Sequence, residues 1–563
     1  MGLLNQFVKL SPNKVTLSIL LGSVSGILQA MLIPVILSAL TVVFNDREDD
    51  IVTVMGIEIA SWKYAAFFTM IVLFIIMARA ISQVLLSNVS INLTSHLRRE
   101  LIRKVSKSSL LGYEKVGQDR IFSGIITDIN DVVIGASQVP DLIKNIISIV
   151  GMLIYLMIIN LEMFWYICLS ISAGVLLFYV PTYIANKYFA TSRSHFDKLQ
   201  YGVKGLLDGF KELKLSQSKK EDYIDKWIYS EDINVSRKNK GGYFFSKLAY
   251  SLGDMSGFVA IGTLTFITAN YQEVSYDTVL TAIMILIYIT GPFESVMHQI
   301  PDMAIANISL NKLYSLYDDL SEEDYIEKKS IEDVKSLEFK DVAFSYGSND
   351  NSFGIGPINF KIERGELVFI IGGNGSGKST MSKLITQHYR PQSGEIRIND
   401  SIVGDDNILS LRERISSIYT DFHLFTHMLG SYDEDMVREY LEDLGLSEKV
   451  SFENGKFSTV KLSDGQRKRL ALLVALMDDR DVYLLDEWAA DQDPEFKDVF
   501  YRKILMKMRN SGKMVIVISH DDHYFDAADK FLVMNDGVIK VVEPQTLDGK
   551  IRSAMSMLSD QSH

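Results

Sequence analysis

A single cysteine, Cys168, in a chain of 563 residues excludes an intramolecular disulfide, a cysteine-only zinc site and a CxxC redox pair. It lies inside the apolar run FWYICLSISAG and reads as a small apolar filler rather than a reactive thiol. A surplus of positive charge is missing too, since 57 Lys and Arg face 70 Asp and Glu, a formal net charge of -13. The deficit is local: residues 1–320 hold 27 acidic and 27 basic side chains, whereas 321–563 hold 43 and 30. A phosphate backbone wants a basic face, so nucleic acid is not an expected partner. Internal repeats and low-complexity tracts are also lacking, which argues against a solenoid or a disordered tail. Length alone exceeds the roughly 100 to 200 residues of one domain and implies at least two units.

What is abundant is apolar sequence, 47% of the chain, with a mean hydropathy of +0.12. Six runs stand out, at 15–44, 64–86, 139–160, 163–184, 247–269 and 275–300. Each is long enough to cross a hydrocarbon core of ~30 Å as a helix. The first is too long and too late for a secretory signal and has no small-residue cleavage site, so it reads as a retained anchor. Three connections are short: 161–162, 270–274, and 45–62, where one arginine meets five acids. Two are long, 87–138 and 185–246, and the second carries twelve Lys and Arg. By the positive-inside rule both long loops and both termini face the cytoplasm. The sequons at Asn88, Asn92, Asn234 and Asn307 then lie on the side where no glycan is added.

The long loops are not disordered by composition. SHLRRELIRKVSKSSLLGYEKV and FDKLQYGVKGLLDGFKELKLSQ keep apolar residues three and four apart, so the spans are expected to continue into the cytoplasm as amphipathic helices. Segments 111–124 and 205–215 are the candidates for docking onto the following domain. The acidic stretch SEEDYIEKKSIED sets the boundary: a membrane domain at 1–320, a linker at 321–335 and a second domain at 336–563.

From Leu337 the pattern turns to short strands and helices. In LVFIIGGNGSGKSTMSKLI a strand run is followed by a glycine-rich loop and a helical run. Gly372, Asn374, Gly375, Ser376 and Gly377 let backbone N–H groups close on a phosphate chain at a helix N-terminus. Lys378 is placed to reach the β and γ phosphates, and Ser379, followed by Thr380, to offer a hydroxyl to Mg²⁺. DVYLLDEWAADQD ends a second apolar strand in Asp486, a candidate Mg²⁺ ligand, and Glu487, a candidate for polarising an attacking water. MVIVISHDDHYF ends a third at Ser519 and His520, whose imidazole is the best placed of the nine to contact a γ-phosphate; His423, His427 and His523 read as surface or polar-core residues.

Between these motifs lies KLSDGQRKRLALLVAL, in which Leu462, Ser463, Asp464, Gly465 and Gln466 resemble the signature of ATP-binding cassette (ABC) proteins. With six spans preceding one cassette, the whole chain resembles a half-transporter of the exporter type. That resemblance implies a polytopic α-helical membrane domain followed by an α/β P-loop ATPase, with ATP and Mg²⁺ as cofactors. It further implies a homodimer in which ATP on one phosphate loop is capped by Ser463 and Gly465 of the other copy, with Gln466 beside them. Tyr346 matches the adenine-stacking aromatic, and Asp493 the loop that meets the partner cassette. IYTDFHLF, DEWAADQDPEFKDVFYRKIL and ISHDDHYFDAADK are similar to the bacterial subfamily exporting cyclic peptides and peptide siderophore precursors. This implies a peptide-like cargo and the bacterial inner membrane.

Two positions depart from the family pattern. Asp464 stands where a glycine is usual, while Ser463 and Gly465 are retained. Thr420 and Asp421 stand where most cassettes place a glutamine that touches Mg²⁺, and Asp421 is assigned that role. The region between this loop and the signature is short, so a trimmed helical subdomain is expected. Arg79, Asp254 and Glu294 lie within apolar runs near the cytoplasmic end, and such groups are functional-site candidates or structural pairs. A lipid flippase or general multidrug exporter shares every cassette motif. A non-transporting regulator is disfavoured by the complete set of Lys378, Asp486, Glu487 and His520.

Overall fold

The computed structural model describes residues 11–44, 53–54, 57–58, 62–268, 276–323, 329–347 and 353–543. Two units emerge: Met1–Arg103 with Asp119–Asp318, and Lys104–Gln118 with Asp319–His563.

The first unit is built from long helices: α1 (Pro12–Phe44), α2 (Trp62–Lys107), α4 (Val139–Ile159), α5 (Leu161–Asp208), α6 (Ser230–Thr263) and α7 (Tyr276–Asp319), while α3 (Leu110–Val116) belongs to the other unit. At ~1.5 Å per residue, the 46 residues of α2 and the 48 of α5 far exceed a bilayer core. The expected continuation of the spans beyond the bilayer core is therefore present as unbroken helix in α2 and α5. Five helical segments among the described residues are long and apolar enough to cross a membrane: Pro12–Leu32, Ala65–Lys107, Gln118–Ile159, Leu161–Asp208 and Thr278–Asp319. The expected run 247–269 lies on α6 and the π-helical turn Leu264–Thr268 and is not among the five; its last residue and the connection 270–274 lie outside the described residues.

The connection expected at 161–162 is tighter than that. Asn160 alone separates α4 from α5, its side-chain oxygen accepting from the N–H groups of Glu162 at 2.9 Å and Met163 at 3.0 Å. Leu73, Phe74, Ile76 and Met77 of α2 are all more than half or half exposed, the pattern of a face meant for lipid. Where helices meet, small polar residues join them: Ser18 Oγ donates to the Ser82 carbonyl at 3.0 Å and Ser82 Oγ to the Ser18 carbonyl at 2.8 Å.

The second unit is an α/β domain. A four-stranded antiparallel sheet has the order β2-β1-β4-β5, formed by β1 (Ser336–Ser345), β2 (Gly354–Glu363), β4 (Ser393–Ile398) and β5 (Ser401–Ile402). A six-stranded sheet has the order β10-β9-β3-β8-β7-β6. Its strands are β3 (Leu367–Gly372), β6 (Ile415–Ile418), β7 (Val482–Asp486), β8 (Met514–Ile518), β9 (Lys530–Asn535) and β10 (Val538–Val542). All its pairings are parallel except β9 with β10. β7 and β8 are buried at every position, as parallel strands covered on both faces must be, so their sequences read as unbroken apolar runs. The three motif-bearing strands β3, β8 and β7 are neighbours, and their C-terminal ends open on one edge of the sheet.

The segment Lys104–Gln118 joins this unit although it precedes it by some two hundred residues. Lys104 pairs with Glu322 at 2.9 Å, and Glu114 of α3 pairs with Lys383 at 2.8 Å and accepts from the Tyr389 hydroxyl. Part of the first docking candidate, 111–124, thus contacts the cassette. The second, 205–215, lies in the membrane unit, with Phe210 and Leu215 exposed.

Candidate functional site

Gly372 ends β3, and α8 (Lys378–Ile385) begins at Lys378, with Gly377 as its N-cap at φ 108°. No L side chain adopts that φ readily, and a Cβ on Gly377 would meet Ile355 Cγ2 at 2.6 Å. The loop is thereby held tight against the start of the helix. Lys378 folds back so that its Nζ donates to the carbonyls of Gly372 at 2.9 Å and Gly373 at 3.1 Å. Its ammonium is buried, which lowers its pKa, while the charges of Glu487 and Asp486 act the other way.

A cavity of about 460 Å³ opens over this loop. Asn374, Gly375, Ser376, Gly377, Lys378, Ser379 and Thr380 form one wall, Asp486 and Glu487 another, and Tyr346 with Phe353 the aromatic end. Tyr346 is 45% exposed, and its hydroxyl is 2.9 Å from Thr380 Oγ1. Among the described residues the buried Ser376 Oγ has no hydrogen-bond partner, and a Cβ at Gly373 or Gly375 would meet nothing within 4 Å. An unpartnered hydroxyl, a helix N-terminus and a buried ammonium together suit a chain of phosphate oxygens.

Asp486 sits at the end of β7, 5% exposed. Burial, with the neighbouring Glu487 charge adding to it, pushes its carboxyl up to about 6; the Thr420 hydroxyl and Lys378 pull the other way. Glu487 turns out of the strand in a left-handed conformation, φ 48° and ψ 34°. Its backbone is clamped on both sides: its N–H donates to the Ile518 carbonyl at 3.0 Å, and its carbonyl accepts from Lys468 Nζ at 2.8 Å. His520 Nε2 lies 3.5 Å from Glu487 Oε1, with the imidazole half exposed and outside the cavity wall.

Of the two residues that stand in the glutamine's place, one reaches the cavity wall. Asp421 is exposed and does not line the cavity, whereas Thr420 does and donates to Asp486 Oδ2 at 3.4 Å. Asp421 acts on the site through its charge, which adds to the upward push on Asp486. The reason is reach: the loop turns its hydroxyl-bearing residue inward and leaves the next side chain facing solvent.

The signature residues form a separate cluster. Ser463 and Gln466 make a reciprocal capping box at the start of α10 (Asp464–Met477), which follows α9 (Glu434–Asp443), the one α-helix between the Thr420 loop and the signature among the described residues. Gln492 Nε2 donates to the Gly465 carbonyl at 2.9 Å, and a Cβ on Gly465 would come 2.7 Å from the Asp491 carbonyl oxygen. Asp493 caps α11 (Pro494–Val499) by accepting from Phe496 N–H at 2.8 Å, and that bond, together with Arg469, holds its carboxyl below the usual range. Ser463, Gly465, Gln466 and Asp493 are all absent from the cavity wall.

Sequence reasoning missed Phe353 and Lys468. Lys468 is buried and ties the signature helix to the acid-bearing turn, its Nζ reaching the Glu487 carbonyl and Asp491 Oδ2 at 2.7 Å. Lys468 carried no distinguishing signal, since Arg467 beside it likewise precedes buried apolar residues, Leu470 and Ala471, by three and four positions. Phe353 follows a segment outside the described residues and carried no sequence signal.

A family model described as ABC transporter matches residues 355–490. ATP-binding protein SyrD of Pseudomonas syringae pv. syringae is 29% identical over 480 residues, covering 82% of this chain and 85% of that protein. Energy-coupling factor transporter ATP-binding protein EcfA1 of Mycoplasma genitalium is 36% identical over 220 residues, 37% of this chain and 78% of its own length. An ATP-dependent lipid A-core flippase of Burkholderia pseudomallei is 23% identical over 500 residues, 83% and 81% of the two chains. In fold, the chain matches a bacterial Atm1-family ABC exporter solved with ATP bound, at a TM-score of 0.75 and 15% identity over 99% of both chains. The phosphate loop, the paired acids and the signature helix, set beside these likenesses, place the chain in the ABC transporter family as an exporter-type half-transporter whose cassette hydrolyses ATP to drive transport.

Proposed function

We propose that this chain works as a homodimer in a bacterial inner membrane and exports a peptide, in the class of cyclic peptides or peptide siderophore precursors. The observation that carries the reading is the single cavity where the phosphate loop, Thr420, Asp486 and Glu487 converge, with Ser463 and Gly465 elsewhere. A nucleotide held there leaves its outer face uncovered until a second cassette supplies a signature, and a closed two-fold pair is the economical assembly. Peptide cargo is supported by the cassette stretches named above and by the likeness to SyrD. The likeness to a lipid A-core flippase favours a second reading, a lipid cargo. ATP-dependent uptake into inside-out vesicles separates them: accumulation of a labelled peptide recovered with the purified protein supports export, whereas labelled lipid moving between leaflets with no peptide uptake overturns it.

In this mechanism Tyr346 and Phe353 stack on the adenine, the 372–380 loop and Lys378 hold the phosphates, and Glu487 accepts a proton from the attacking water. His520 steadies Glu487 from outside the cavity wall. Ser379 and Asp486 would hold Mg²⁺, with Thr420 orienting the Asp486 carboxylate; the ion supplies charge neutralisation of the phosphates. By the positive-inside rule both termini belong on the cytoplasmic side in this proposal. The α3 contact through Glu114 supports transmission of cassette movement to the membrane helices.

Two expectations test these roles. Asp486→Asn removes a buried negative charge from a wall that faces the triphosphate. Metal-free ATP, measured with a fluorescent analogue in chelator, is expected to bind about tenfold more tightly, since like charges close together in a poorly solvated site repel by more than 1 kcal/mol. The same variant is expected to lose most Mg²⁺-dependent hydrolysis. Lys468→Met leaves the Glu487 carbonyl without its donor, at a cost of about 1 to 3 kcal/mol. Turnover is expected to fall roughly tenfold or more as Glu487 loosens, with ATP affinity little changed, because Lys468 is not on the cavity wall. Steady-state phosphate release beside equilibrium nucleotide binding reads both.

A further inference from the structure

Inside the membrane unit, α5, α6 and α7 line a second pocket, narrow and partly open. Close approaches set its shape. A Cβ on Gly174 would come 2.8 Å from Ser256 Oγ, and one on Gly257 2.9 Å from Thr290 Cγ2, so α6 packs Ser256 against the α5 backbone and α7 packs Thr290 against the α6 backbone. Phe178, Tyr250 and Phe293 face the space, as do Asp254 and Glu294, and no Lys or Arg is in the lining. The two carboxylates, on different helices, therefore share one cavity within a single protomer. Arg79 is outside it.

Two basic side chains, His298 and Lys247, lie beside this cavity outside its lining. His298 Nε2 is 3.5 Å from Glu294 Oε1 while its ring stacks on Tyr250 at 4.5 Å and 17°. Lys247 Nζ lies over the Tyr250 ring, 5.7 Å from its centroid. A carboxylate at membrane depth is costly unless a positive group or water offsets it; these two are exposed in the protomer, Glu294 beside His298, and share their pocket with aromatic side chains. A bound organic cation would meet both needs: its charge on Asp254 and Glu294, its apolar body on Phe178, Tyr250 and Phe293, with cation–π attraction added.

We infer that this cavity is a binding site for the cationic, apolar-bodied part of the cargo, an amine or guanidinium group beside aromatic or aliphatic side chains. As a statement about cargo it rests on the export reading above. As a statement about binding it is independent of transport.

The test is equilibrium dialysis of the full-length protein in nanodiscs of zwitterionic lipid, without nucleotide, with empty discs subtracted. The probes are tetraphenylphosphonium and tetraphenylborate, which share a four-phenyl shape and differ in the sign of their charge. Saturable binding of the cation is expected, at least tenfold tighter than any saturable binding of the anion. In Asp254→Asn with Glu294→Gln it is expected to weaken at least tenfold, and in Asp254→Glu with Glu294→Asp, which keeps both charges, to persist within a few-fold. ATP affinity at the cassette of each variant, read in the same discs, reports whether it has folded; should the first pair not fold, Glu294→Gln alone is expected to weaken cation binding by several-fold. Equal binding of cation and anion, equal cation binding by parent and neutralised variant, or no saturable binding at all, as when a second copy or lipid fills the cavity, overturns the inference. Loss of vesicle uptake with charge-selective binding intact would instead count against the export reading alone.

Discussion

Replacing Glu487 by Gln is expected to cut ATP hydrolysis by about two orders of magnitude or more while leaving ATP binding in place. Glutamine keeps the size and hydrogen-bonding length of the side chain but cannot accept the proton of an attacking water. The backbone that presents residue 487 is fixed independently of its side chain, by Ile518 on one strand and Lys468 on the signature helix. The variant should therefore fold and bind as the parent does. Losing the carboxylate also removes a negative charge beside Asp486, whose carboxyl that charge helps to push up, so a bound triphosphate faces less repulsion. Trapped nucleotide at an unchanged or tighter affinity, with phosphate release near background, is the expected pairing. Hydrolysis at the parent rate would remove Glu487 from the reaction.

Lys378→Ala is expected to act one step earlier, on binding. Its ammonium is buried at the mouth of α8, and charge-assisted hydrogen bonds to phosphate contribute about 1.5 to 3 kcal/mol each. Affinity for ATP should fall by roughly tenfold to over a hundredfold. Two further effects add to this. The carbonyls of Gly372 and Gly373 lose a donor at 2.9 and 3.1 Å, which loosens the loop itself. Asp486 and Glu487 also lose the nearest positive charge and repel the triphosphate more strongly. Titration with a fluorescent nucleotide reads the change directly, and unaltered affinity would take Lys378 out of the site.

Local sequence determined much of this molecule, because the signals are themselves local. The glycine-rich loop between an apolar strand and a helix needs only neighbouring residues to take its shape, as Gly377 does at φ 108°. Fully buried parallel strands must be apolar at every position, so β7 and β8 were legible as runs ending in Asp486 and near His520. Long apolar segments announce membrane helices for the same reason, the absence of water to satisfy an exposed backbone.

What only the tertiary structure decided concerns contacts between residues far apart in sequence. Thr420 rather than Asp421 faces the site because the loop after β6 turns one residue inward beside Asp486, and alternation alone cannot say which. Lys468 looks like any basic residue at a helix start until α10 packs under the turn at Glu487 and buries its ammonium. Glu114 joins the cassette across 269 residues of chain through Lys383. Asp254 and Glu294 could be placed on spans by hydropathy, but whether they meet depends on how α5, α6 and α7 rotate about their axes. Gly174, Ser256 and Gly257 govern that rotation by permitting close approach, and packing of this kind leaves no periodic trace in the sequence.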